Sequence, residues 1–221
     1  MQSQKFKFLM PILALVCCAG FLLIAAGQTP PQKANKSGDG QELIPRDEEI
    51  ALALSAAPEH LRQDATVYVL ERNRYVKVRE GSNGFSCLVV RFGNMIAPYA
   101  YDKEGSETLM LADFRRAELV AGGKSLKEAQ KILVEEFESG KLLAPRKPGV
   151  AYMLSPDFVQ RDSQTGKETQ VFPPHVMFYA PFVKNSDIGA LPEHFNSQEH
   201  VFVLNEGRPD AMFIIVPQNH H

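Results

Sequence analysis

Residues 66–91 read TVYVLERNRYVKVREGSNGFSCLVVR, and the fold turns on how this stretch is divided. The runs 66–71, 75–80 and 85–91 are rich in β-branched and aromatic residues. Between them lie only Arg72-Asn73-Arg74 and Gly81-Ser82-Asn83-Gly84. Interruptions this short, with Asn and Gly able to take positive φ, join neighbouring antiparallel strands. The expectation is a three-stranded meander.

Upstream, residues 47–57 form a predicted helix. Asp47, Glu48 and Glu49 stand in its first turn, where the helix dipole favours acids, and Pro58 is its stop. Downstream, a helix is expected over 106–121, ending at Gly122-Gly123. A second opens with the capping box Ser125/Glu128 and ends at Gly140. In that second helix Leu126, Ala129, Ile132, Leu133 and Phe137 recur at helical spacing and make its buried face. After PRKPG at 145–149 the pattern returns to strands. The run 150–154 is apolar on both faces and is predicted to be central. The runs 158–161 and 167–172 flank a turn at 162–166, and 175–180, 201–204 and 212–216 complete the set. Strands, then helices, then strands specify an α+β fold, a largely antiparallel sheet with two or three helices packed on one face. The alternating βα order of a doubly wound nucleotide-binding fold is missing.

At the start of the chain, Lys5 and Lys7 precede an apolar run from Phe8 to Ala26, which ends in Ala25-Ala26-Gly27-Gln28. A basic start, an apolar middle and a small-residue exit make a secretory signal peptide over 1–27. A membrane anchor is the alternative, since the run has the length to span, but Pro11 and the absence of a basic flank after Ala26 speak against it. A lipidated Cys17 fits less well, with the bulky Val16 before it. Residues 28–44, rich in Pro, Gly, Gln and Lys, read as a flexible linker. Residues 45–221 then form a single domain, expected in the periplasm or secreted.

Cleavage after Gly27 leaves 194 of the 221 residues, with 22 basic against 26 acidic side chains. That near balance provides no footprint for nucleic acid, and no stable membrane span remains once the signal is gone. Cys17 and Cys18 leave with it, so Cys87 stands alone and no intramolecular disulfide can form. Gly-x-Ser-x-Gly, His-Glu-x-x-His and paired Cys-x-x-Cys are absent, and no cofactor is called for.

Two candidate sites follow. In the run Pro173 to Pro181, period two puts His175, Met177 and Tyr179 on one face: an imidazole, a thioether and a phenol. With Asn185 and Asp187 on the following loop, this face reads as a ligand-binding wall for a small molecule or an envelope protein. The alternative is a hydrolase with Cys87 as nucleophile and His175 as base. Against it, no helix N-terminus or basic neighbour is present to activate the thiol. His194 and His200 match no common zinc spacing, so no metal site is expected. His220 and His221, at the very end, carry no weight.

Several blocks together, DATVYVL (64–70), GSNGFSCLV (81–89), PGVAYMLSP (148–156), the run 173–181 and SDIGA (186–190), resemble a family of uncharacterised secreted bacterial proteins. The resemblance implies an exported bacterial protein and carries no activity or catalytic residue with it.

Overall fold

The computed structural model describes residues 43–217. The signal segment 1–27, all of the linker but Leu43 and Ile44, and His220 and His221 lie outside the described residues. Ile44 is already buried, and the first helix, α1 (Arg46–Ser55), begins directly after Pro45. The helix ends at Ser55, before Pro58, as expected. Pro58 then opens a further short turn, α2 (Glu59–Arg62), because a first helical turn leaves its N–H groups unused and proline has none to lose. Strands β1 (Thr66–Glu71) and β2 (Arg74–Arg79) make the expected antiparallel hairpin, with Arg72 at φ +57° in the connection.

The third strand corrects the meander. β3 (Ser86–Phe92) lies on the other side of β1 and parallel to it, Thr66 opposite Ser86 and Val67 opposite Cys87. To reach that side the chain passes over the start of β1. Ser82 and Asn83 both donate their N–H to Asp64 O, and Gly81 N donates to Thr66 Oγ1 at 3.0 Å. A Cβ on Gly81 would collide with the backbone of Asp64, Ala65 and Thr66. Only a residue without a side chain can cross another backbone so closely.

β4 (Met95–Tyr101) pairs antiparallel with β3 from end to end. Its sequence conceals it, since Pro98 in its middle removes a ladder donor. The structure shows why the proline is tolerated. On its far side β4 pairs in two separate places, Ala100 and Tyr101 with β5 (Val150–Met153), Met95 and Ile96 with β6 (Val159–Arg161). Pro98 falls in the gap between them and forfeits no bond there. β6 turns back into β7 (Glu168–Gln170) around the predicted 162–166 turn. β5 is central as expected, followed by β8 (His175–Tyr179) and then β10 (Met212–Ile215), with β9 (Phe202–Leu204) at the margin. The main path is β2-β1-β3-β4-β5-β8-β10-β9, antiparallel except for the β1–β3 contact. The protein has an α+β fold.

In place of one helix from 106, the chain makes α3 (Lys103–Glu107) and α4 (Leu109–Ala121), broken at Thr108 with φ −131° and ψ −83°. α5 (Leu126–Glu138) carries the predicted capping box. α4 and α5 share one face of the sheet, where Leu109, Leu133 and Phe137 cluster with Leu88, Tyr101 and Met177. These are the helices expected on one face; α1 covers the other. There Ala53, Ala56 and Ala57 meet Cys87, Val89 and Ala100. Beyond α1, among the described residues, no helix of this size covers the second face; the 188–201 segment borders it at Phe213 and Ile215, and Phe178 stays 43% and Ile215 36% exposed. Among the described residues no helix is long and apolar enough to cross a membrane.

Under α1 the sheet is also wedged open. β1 and β3 pair only at their starts, and polar side chains occupy the gap beyond. Leu70 N donates to Glu49 Oε1 at 3.1 Å, and Tyr75 Oη donates to Val89 O at 2.7 Å. Arg91 Nη1 donates to the same Val89 oxygen at 3.3 Å. Its Nη2 stands 3.2 Å from Glu49 Oε1, near enough for an ion pair but not aligned as a hydrogen bond. Both side chains are buried, which pushes the Glu49 carboxyl up while Arg91 opposes the shift. Glu49 stands in the first turn, where the helix dipole favours an acid, and from there it also replaces missing sheet bonds.

Candidate ligand cavity

The register of the central strands builds the floor of a cavity. Tyr101, Ala151, Met177, Ile214 and Phe202 stand in one cross-strand row, each opposite the next. In the neighbouring row Met153 stands opposite His175, and Tyr99, two residues from Tyr101, points to the same face. The roof comes from α4, through Leu109, Ala112, Asp113 and Arg116, and from α5, through Gln130 and Phe137. Between floor and roof lies a space of about 520 Å³, bordered at the surface by Val171, Asn196 and Gln198. Met95, Met153, Met177 and Met212 all line it. Thioether chains are flexible and polarisable, and they fit themselves to varied apolar shapes.

Its polar groups fall into two kinds. The charged ones are matched. Asp113 accepts from Arg116 Nη1 and from Tyr101 Oη, the latter at 2.8 Å, and the Arg116 guanidinium lies 4.8 Å over the Phe92 ring. Burial pushes the Asp113 carboxyl up, while Arg116 and the Tyr101 hydroxyl draw it down. Arg208 grips Asp210 with two bonds of 2.9 and 2.7 Å, and Gln130, with its amide oxygen turned to Arg208, accepts from it too. The second kind is uncharged and open. His175 Nδ1 lies 2.8 Å from Pro173 O. A carbonyl only accepts, so Nδ1 carries the proton. Burial lowers the imidazole below its ordinary range, and the bond to Pro173 only partly offsets this. The ring is therefore neutral at pH 7, with a lone pair on Nε2. Phe172 meets its edge at 5.1 Å and Phe158 stands at 6.5 Å.

His175 and Met177 thus line the cavity as the period-two reading requires. Other sequence candidates do different work. Tyr179 is a strut: its hydroxyl donates to Asp102 Oδ1 and approaches Val150 O, both at 2.9 Å, and its ring packs so closely on Gly105 and Gly149 that neither has room for a Cβ. Asp102 also caps α3 by accepting from Gly105 N. Asn185 lies away from the cavity and binds both backbone groups of Val203, with Oδ1 accepting at 2.7 Å and Nδ2 donating at 3.1 Å. Asp187 closes its own turn by accepting from Lys184 N. None of these three lines the cavity; each is engaged within the protein.

The Cys87–His175 pair is likewise corrected. Cys87, Ala100, Tyr152 and Val176 follow one another across four strands on one face. His175, next to Val176, points to the opposite face. With β4 and β5 between them and the sheet separating their side chains, the two cannot share a proton. Cys87 is wholly buried, and desolvation pushes its thiol up to about 12. His194 and His200 stack with centroids 4.1 Å apart, yet His194 Nδ1 accepts from Leu191 N. Its other nitrogen then holds the proton, the wrong tautomer for a metal. Among the described residues no three His, Cys, Asp or Glu side chains cluster to hold one.

Tyr99, Met153 and the Asp113–Arg116 pair escaped the sequence reading. One signal was present: Met95, Ala97, Tyr99 and Tyr101 alternate as a strand does, around the proline that hid it. No family model matches the chain, and no curated protein and no solved structure matches it either.

Proposed function

We propose that this protein is a non-catalytic binding domain that takes a small, mainly apolar molecule between the central sheet and α4/α5. The observation that carries the reading is the space of about 520 Å³ on the His175/Met177 face. Cores pack to crystal-like density, and voids larger than a water molecule are few. This volume instead falls in the range of ligand pockets, which are apolar with a few fixed polar groups. The separation of Cys87 from His175 supports binding over hydrolysis.

The test uses N-phenyl-1-naphthylamine, an apolar fluorophore that brightens on leaving water. Wild-type protein is expected to enhance and blue-shift its emission with a saturable curve. Ala112→Phe fills the space from the roof and is expected to abolish the response while the melting transition is retained. No enhancement by the wild type, or an unchanged curve in Ala112→Phe, overturns the reading.

The site of action belongs to the same proposal. A basic start, apolar run and small-residue exit at 1–27 support export, and the resemblance to secreted bacterial proteins agrees. Intact mass of protein from its native host is expected to correspond to a chain beginning at Gln28. A cytosolic chain that retains residues 1–27 refutes export.

A further inference from the structure

We infer that the cavity selects neutral ligands that carry a hydroxyl or N–H donor, and that His175 Nε2 is the acceptor that reads it; this rests on the binding function proposed above. The charged groups of the cavity are already satisfied within the protein. Asp113 has Arg116 and Tyr101, and Arg208 has Asp210 and Gln130. Each charge on the lining meets its opposite within the protein. A charged ligand would enter with no counter-ion left for it, and burial of an unpaired charge is strongly disfavoured. The occupant is therefore neutral.

Its polar group follows from the tautomer. The Pro173 carbonyl fixes the proton of His175 on Nδ1, so Nε2 can only accept. Among the described residues no donor reaches Nε2; the residue as a whole is only 3% exposed, and Nε2, which is not among the fully enclosed unpaired atoms, faces the open space of the cavity. An acceptor in such a place is costly to leave dry. A ligand that displaces water from Nε2 must supply the donor in its place. Tyr99 sharpens the specification. Its hydroxyl also lacks a partner among the described residues, the residue is 9% exposed, and it lines the same cavity. Tyr99 stands in the row of Met153 and His175, and strands lie about 4.8 Å apart, so the two polar groups border one flank of the space. Between them lies Met153, which presents only apolar surface. The ligand class is a neutral apolar body with one hydroxyl or uncharged N–H group at its edge, of which phenols and alicyclic alcohols are the simplest members.

Three rod-like probes of matched shape separate the outcomes: 4-phenylphenol, 4-methoxybiphenyl and biphenyl-4-carboxylate, titrated calorimetrically at pH 7.5. Wild-type protein is expected to bind the phenol about tenfold more tightly than the ether and the carboxylate more weakly than either. In His175→Phe the phenol and the ether are expected to bind within twofold of each other. Wild-type protein also permits a direct reading. The ¹⁵N signal of His175 Nε2 is expected to move when the phenol is added and to stay in place with the ether. Equal binding of phenol and ether with no movement of that signal overturns the donor assignment but leaves the cavity a binding site. Tightest binding of the carboxylate overturns the neutral-ligand assignment. Failure of all three probes, together with failure of the fluorophore, counts against the binding function itself.

Discussion

The two faces of the sheet solve the same packing problem in opposite ways. Under α1 the contacts are made by small side chains, Ala53, Ala56, Ala57, Ala65, Cys87 and Ala100, each with no exposed surface. Alanines let a helix backbone settle close to the strands, and the space that remains, about 400 Å³ between the flank of α1 and β6, lies beside this contact and not within it. On the other face α4 and α5 are held off by large side chains, among them Tyr99, Tyr101, Met153, Met177 and Phe202, and a space of about 520 Å³ remains. Bulk at the contact keeps the layers apart without filling what lies between them. The tight face carries the cysteine and the open face the histidine. Reactive potential in a residue therefore counts for less than the layer in which it sits.

The contrast can be broken at several points. The largest effect is expected in thiol chemistry. A thiol sealed under α1 reacts only when the domain opens, so iodoacetamide should label Cys87 at least about 10³-fold more slowly in native protein than in urea. Comparable rates in the two states mean that the α1 face is not closed. Next comes Glu49→Ala, which strands the Arg91 guanidinium under the same helix. A loss of about 3–5 kcal/mol in urea unfolding is expected, with much of it recovered in Glu49→Ala/Arg91→Met. A loss below about 1 kcal/mol would show that the gap between β1 and β3 admits water freely.

A paired substitution then compares the faces directly. Ala53→Leu overpacks the tight side and should cost about 1–3 kcal/mol. Ala112→Leu projects into the cavity and should cost clearly less. Equal losses would mean the space is not available to side chains.

The smallest effect is in pH. Burial lowers the folded-state value of His175 from 6.5, so the unfolded chain takes up the proton first as the solution is acidified. Its contribution to stability is full above 6.5, declines as pH falls below it, and stops changing beneath the folded value. His175→Phe should flatten the stability profile between pH 7 and 5. An unchanged slope would assign that dependence to other groups.

The sequence made some of this plain and hid the rest for identifiable reasons. β5 reads as central because both its faces are apolar, and the hairpin of β6 and β7 reads from its 162–166 turn. The inward face of His175 and Met177 follows from period two alone. What failed were decisions made at long range. Gly81 announces a crossing, but no local pattern says that the chain lands beyond β1 instead of beside β2. Pro98 disqualifies β4 until the gap between β5 and β6 is known. Tyr179 and Asn185 look like ligand contacts because their partners, Asp102 and Val203, are 77 and 18 residues away. A polar residue bound to distant backbone cannot be told, from sequence, from one waiting for a ligand.

Asn185 has a consequence for how these molecules behave in company. By holding both the N–H and the C=O of Val203, its amide occupies the outward rim of β9 where another chain could otherwise add a strand. At the opposite rim β2 carries the exposed basic side chains Arg74 and Lys77, the latter paired with Glu80, while Arg79 turns back onto the Ala65 and Arg62 carbonyls; charges on an edge strand oppose the docking of a second β2. Lateral polymerisation is thus obstructed at one margin by mimicry and at the other by charge. Asn185→Ala would unlock a template for fibre growth in a sheet otherwise guarded at both ends.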